Sequence, residues 1–112
     1  MSKYRNTKTE AYGMTFDSKA EARRYSELLI LQDIDAIRVL CRQVPYELAP
    51  GVRLHGEKRK RPALRYIADF EYFDVAMGKT VVEDTKGMDT PMSRLKRHLM
   101  ATVRGIEVRL TR

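Results

Sequence analysis

Two helices with explicit start signals bracket residues 37–86, which read as three strands. This order limits the fold more than any other feature of the 112-residue chain. Ser18 followed three residues later by Glu21 fits a capping box. There the hydroxyl accepts from one orphan backbone N–H and the carboxylate reaches back to another. The first helix is therefore predicted from Ser18 to about Gln32, with Leu28, Leu29 and Leu31 as apolar surface and a turn over 33–36. The second helix opens on Thr90 as cap, has Pro91 at its first position, and stops at Gly105. Met92, Leu95, Leu99 and Val103 line one of its faces at spacings of three and four, and Arg94, Arg97 and Arg104 fall on another. Between the helices, Ile37–Leu48, Ala63–Phe73 and Lys79–Lys86 read as strands, the last two joined by a turn at Met77-Gly78. Pro45 implies an edge or a bulge. A short strand, Ile106–Leu110, follows the second helix. Residues 1–13 are expected to form a flexible basic tail, with Lys3, Arg5 and Lys8, and residues 14–112 one domain. The predicted class is α/β, a mixed sheet flanked by two helices.

The longest apolar run, Leu28–Leu31, is far short of the roughly 20 residues of a membrane span. The polar start lacks the apolar stretch of a signal peptide, and a lone cysteine, Cys41, excludes an internal disulfide and is expected in the core. A cytoplasmic setting is expected. The formal net charge is +7, and its placement matters more than its size. Residues 36–68 hold eight basic and two acidic side chains, and residues 90–112 hold six and one. Residues 69–84 hold five acids of the chain's fifteen. The basic segments suit a polyanion, most simply nucleic acid, although solubility alone also favours such a balance.

The acidic island needs its own account. On a strand, Asp84 and Lys86 share a face about 6.7 Å apart, while Glu83 points the other way. If the strands on either side of Met77-Gly78 pair as a hairpin, Asp69 and Asp84 become neighbours. Two carboxylates and a lysine then meet at one end of a sheet. Phosphodiester hydrolysis has a use for this set. Mg²⁺ binds through one or two carboxylates plus substrate phosphate, and a lysine beside it orients water and offsets developing charge. Taken alone, Asp-x-Lys is more often a surface ion pair.

The order of elements around it carries a resemblance. Helix, three strands, helix, strand, with an aspartate on the second strand and Asp-x-Lys on the third, resembles the αβββαβ core of the PD-(D/E)XK, or restriction-endonuclease-like, nuclease superfamily. Phe16-Asp17-Ser18-Lys19-Ala20-Glu21-Ala22 with Tyr25 and Leu28, then Gln43, Ala68-Asp69-Phe70 and Val82-Glu83-Asp84-Thr85-Lys86-Gly87, is similar to small phage or prophage proteins of that superfamily. The resemblance spans residues 12–110. It implies that Asp69 and Asp84 hold Mg²⁺, with Mn²⁺ able to substitute, and that Lys86 is the catalytic lysine. Glu21 matches a glutamate that several members aim at the metal, and equally it completes the cap of the first helix. Ala68 stands where the motif has proline.

The resemblance further implies a DNA endonuclease, in the host cytoplasm if phage-encoded, acting on branched or structured DNA. It makes a homodimer an expectation. Arg53, Lys58, Arg59, Lys60, Arg61 and Arg65 are expected along the DNA backbone, and Arg94, Lys96 and Arg97 beside the site. No base-reading code is visible. Glu83 is expected to be structural, Glu71 solvated and His98 a surface residue. Two other functions fit parts of the pattern: a catalytically inactive nucleic-acid-binding module on the same fold, and an RNA-binding ribosome-associated protein, which leaves the acidic island without a role.

Overall fold

The computed structural model describes residues 8–86 and 89–112. Lys3, Arg5 and Gly87 of the segments above lie outside these. Thr9–Ala11 (β1) and Met14–Phe16 (β2) form a small antiparallel hairpin. Then follow Lys19–Asp33 (α1), Ile37–Ala49 (β3), Leu64–Asp74 (β4), Lys79–Thr85 (β5), Pro91–Val103 (α2) and Arg109–Thr111 (β6). Strands β3 to β6 make one sheet in sequence order, antiparallel except for the parallel β5–β6 pair. The class is α/β with a mixed sheet and two helices. No helix among the described residues is long and apolar enough to cross a membrane.

The hairpin corrects the expected tail boundary, because Thr9–Ala11 is paired strand. Its turn, Tyr12-Gly13, has φ of 55° and 72°, the positive pair that a two-residue hairpin turn requires. Tyrosine is unusual there, and tertiary contacts hold it. Its hydroxyl bonds Ser26 Oγ at 2.8 Å, and its ring meets Tyr25 edge-on at 5.6 Å.

The caps follow the sequence. Ser18 Oγ accepts from the Glu21 N–H at 3.1 Å and Thr90 Oγ1 from the Ser93 N–H at 3.1 Å. Arg104 caps the C-terminus of α2, and Gly105 follows with φ of 67°. Two clusters form the core. Leu28 of α1 packs with Ile37, Phe70, Tyr72 and Val81. Met100 of α2 packs with Tyr46, Leu48, Tyr66, Ala68 and Val82. Adjacent residues on a strand point to opposite faces, so Val81 and Val82 place the two helices on opposite sides of β5.

The orientation of α2 differs from the sequence expectation. Met92, Leu95 and Val103 are more than half exposed, whereas Met100 is fully buried. With Met100 inward, Ser93, Lys96 and Arg97, at helical spacings of seven, four and three, turn toward the sheet, and each is at least partly buried. Of the apolar stripe only Leu99 packs against the core, beside Met100. Cys41, expected in the core, is only partly buried on β3.

Candidate functional site

The β4–β5 ladder runs from the Asp74↔Lys79 pair to Phe70↔Glu83 and stops there. Opposite the same point on β3, Gln43 has φ of 51°, a left-handed residue that breaks strand alternation. The β4 residues Tyr66 and Ala68 belong to the α2 cluster, while Phe70 and Tyr72 belong to the α1 cluster. The two strands diverge at Asp69 and Asp84, and these carboxylates bridge the fork. The Asp69 N–H donates to Asp84 Oδ1 at 2.7 Å, and the Thr85 N–H donates to Asp69 Oδ2 at 2.8 Å. Each side chain replaces a ladder bond that the backbones no longer make.

Asp84 is 2% exposed and carries two more contacts on Oδ2. Lys86 Nζ lies at 3.3 Å, and the buried Tyr66 hydroxyl donates to the same oxygen. Burial, reinforced by Asp84, pushes the Tyr66 hydroxyl well above its ordinary range, so it remains a donor. Burial raises the Asp69 carboxyl to about 7, with the neighbouring charge of Asp84 the next cause. The Thr85 N–H and Lys86 pull the other way. Glu21 also raises Asp69, which sets the helix carboxylate within electrostatic reach of the fork.

Glu21 itself is 3% exposed and fully engaged. Its Oε2 accepts from the Asp17 N–H at 3.2 Å, completing the capping box one residue earlier than the usual position. Its Oε1 accepts from Gln43 Nε2 at 3.2 Å and faces Arg42 Nη2 at 3.6 Å. Burial raises its pKa, against the Asp17 N–H and Arg42. Gln43 thus holds the helix carboxylate from β3. Arg42, which sequence reading passed over, lies 4.1 Å above the Phe16 ring and donates to Thr15 O, tying the hairpin to the sheet.

Glu83 takes a different role from its neighbour. It is fully buried and receives Arg24 through two bonds, Nε at 2.7 Å and Nη2 at 3.2 Å. The Tyr72 hydroxyl donates to it at 2.7 Å, and burial with Glu83 pushes that hydroxyl up to about 12. Strand parity had separated Glu83 from Lys86, and the structure does so. Glu71 is partly buried and accepts from the Tyr46 hydroxyl rather than from solvent alone. His98 is exposed.

The basic residues divide into two groups. Arg53, Lys58, Arg59 and Lys60 are exposed on the connection between β3 and β4. Arg61, in the same connection, forms a two-bond pair with Glu57 at 2.9 and 2.6 Å. Arg65 and Lys96 line a cleft beside Asp84 and Lys86. Arg97, expected to clamp phosphate, is committed instead: it holds Asp89 through two bonds of 2.9 Å and Ser93 Oγ at 2.8 Å. Arg94 approaches the same aspartate at 3.6 Å. Asp89 precedes the basic stretch of residues 90–112 and neutralises part of its charge.

The donors at the fork suit a hard cation. Two carboxylates with a raised Asp69 leave repulsion that an oxygen-seeking divalent ion relieves, and Mg²⁺ needs no more than one or two carboxylates from protein. Among the described residues no group of three or more His, Cys, Asp or Glu side chains is placed to hold a metal ion.

The fold and this fork define a small α/β domain with a carboxylate–lysine cluster where two strands part. The whole chain, residues 1–112, matches the family model described as "Protein of unknown function (DUF1064)", and the chain belongs to that family. No curated protein and no solved structure matches it.

Proposed function

We propose that this chain is a metal-dependent endonuclease that hydrolyses phosphodiester bonds in DNA. The observation that carries the reading is the fork, with Asp69 and Asp84 linked through each other's strands and Lys86 3.3 Å from Asp84. The resemblance to PD-(D/E)XK nucleases and the exposed cations around the site support it. Asp69 and Asp84 would hold Mg²⁺ or Mn²⁺, and when bound the ion supplies charge for a phosphoryl oxygen and lowers the pKa of water. Lys86 holds the attacking water and donates toward the phosphate as charge builds there. Tyr66 keeps Asp84 oriented through its hydroxyl. Glu21 is a positioning residue in this reading, bracing Gln43 and Arg42 beside the fork. Arg53, Lys58, Arg59 and Lys60 collect the backbone, which predicts binding that weakens steeply with salt.

A nucleic-acid-binding module without chemistry is the second reading, favoured by the lack of a third converging ligand among the described residues. One experiment separates the two. Supercoiled plasmid and four-way-junction DNA are incubated with the protein in Mg²⁺, Mn²⁺ or EDTA, alongside Asp84→Ala and Lys86→Ala. Cleavage that needs metal and vanishes in both variants is expected. Binding without cleavage in every condition overturns the nuclease reading in favour of the module.

A further inference from the structure

Beyond its last pair with β5, strand β4 runs from Leu64 to Asp69 without a backbone-paired β5 residue, reached only through the side-chain bonds of the fork. The first turns of α2 stand across the gap. A cleft of about 320 Å³ opens there, and Asp84 and Lys86 form part of its wall. That volume is at the low end of small-ligand clefts, on the scale of one nucleotide.

The rest of the lining is mixed in a way that a phosphate site alone does not need. Arg65 and Lys96 bring positive charge next to Lys86. Ile67 from β4 and Met92 from α2 also line it and are 55% and 60% exposed; Ile67, between Tyr66 and Ala68, faces away from α2, so the two stand on either side of the open strand edge. Exposed apolar groups set among cations, beside a carboxylate–lysine cluster, match a nucleotide in its two parts. The cations meet its phosphate and the apolar pair meets the face of its base. In an intact duplex that face is hidden by stacking, so apolar side chains reach it only where a base has left the stack.

We propose that this cleft is a subsite for a single unstacked nucleotide, with Ile67 and Met92 as its base-contacting residues. It rests on the endonuclease reading and narrows the substrate to DNA with an unpaired base at the cut: a flap, a bulge or an open junction. The rotation of α2 is what builds the subsite. Turning Met100 into the core swings Ser93 and Lys96 to the sheet side and leaves Met92 at the rim.

The test uses the full chain in EDTA, so that binding is read without cleavage. Two labelled DNAs of the same sequence are compared by fluorescence anisotropy, one fully paired and one with a single-nucleotide bulge carrying 2-aminopurine. The wild type is expected to bind the bulged DNA about tenfold more tightly and to raise its 2-aminopurine emission. Ile67→Ser combined with Met92→Ser should erase that preference and change duplex affinity by less than about twofold. Both side chains are exposed, so an unchanged thermal melt checks the fold. Lys58→Ala with Arg59→Ala should weaken both DNAs alike. Equal wild-type affinity for the two DNAs, or a preference that survives the double serine variant, overturns the proposal. Metal-dependent cleavage by that wild type would still uphold the nuclease reading, so the two can fail separately.

Discussion

Replacing Arg24 by leucine keeps most of the apolar stem and removes the charge. It leaves Glu83, which is fully buried, without its cation. Breaking a buried ion pair from one side costs about 3–5 kcal/mol, because the remaining charge keeps its desolvation penalty. Arg24 is 22% exposed, so water enters the vacated space and about 3 kcal/mol is the expected loss. That is a large part of the ~5–15 kcal/mol that holds a domain together. In a chain of this size each kcal/mol moves the melting midpoint by roughly 4 °C or more, so a fall of at least about 12 °C is expected. Urea denaturation followed by circular dichroism gives the free energy directly. The double variant Arg24→Leu with Glu83→Leu should recover most of the loss, since an apolar pair replaces the ionic one. What it does not recover, about 1 kcal/mol, belongs to the Tyr72 hydroxyl, which then lacks its acceptor. Adding Tyr72→Phe should return that remainder. A loss under 1 kcal/mol for Arg24→Leu, or strictly additive losses in the double variant, would refute the claim that Glu83 is structural and depends on Arg24.

Other outcomes follow from the fork. Asp69 has its folded pKa raised from 3.8 to about 7, so the folded chain holds a proton that the unfolded chain has lost between those values. In EDTA, stability should therefore fall as pH climbs from about 4 and level off above about 7, with Glu21 acting in the same direction. Urea midpoints across that range test this, and a midpoint that rises with pH would contradict it. Added Mg²⁺ should recover stability at the alkaline end. Asp69→Asn should tighten DNA binding in EDTA by several-fold, measured by anisotropy, because one charge repelling phosphate is gone. Tyr66→Phe should lower cleavage about tenfold while costing only about 1 kcal/mol of stability, since Asp84 loses a donor that keeps it oriented. Arg42→Ala should cost about 1–2 kcal/mol and loosen the hairpin, visible as faster amide exchange over residues 9–16.

Part of the site is legible in the sequence. Met77-Gly78 and the strand pattern on either side bring Asp69 and Asp84 together, and period-two parity puts Lys86 with Asp84 and Glu83 with the opposite face. Tyr66 was within reach of the same reasoning. It alternates with Ala68 and Phe70 on a buried strand, and a buried tyrosine hydroxyl needs a polar partner. Glu21 was not decidable, because cap and ligand ask for the same residue at the same place. Only the position of Asp17, Gln43 and Arg42 around it shows how its two oxygens are used. The basic residues were the least legible. Arg97 and Lys96 are neighbours in sequence, yet one is bound to Asp89 and the other lines the cleft.

Local chemistry, written into single residues and short spacings, set the helix starts at Ser18 and Thr90, the stop at Gly105, the succession of elements from the first helix onward and the two acids with their lysine. Tertiary structure decided the rest, because each remaining feature depends on which of several equivalent surfaces packs. The rotation of α2 follows Met100 filling the space beside Tyr66 and Val82, with only Leu99 of the stripe that periodicity favours packed beside it. The Tyr12-Gly13 turn exists because Ser26 and Tyr25 hold it. The fork opens where Gln43 breaks the alternation of β3 and the β4–β5 ladder ends, and a ladder's end is a balance of packing on both faces that no local spacing encodes.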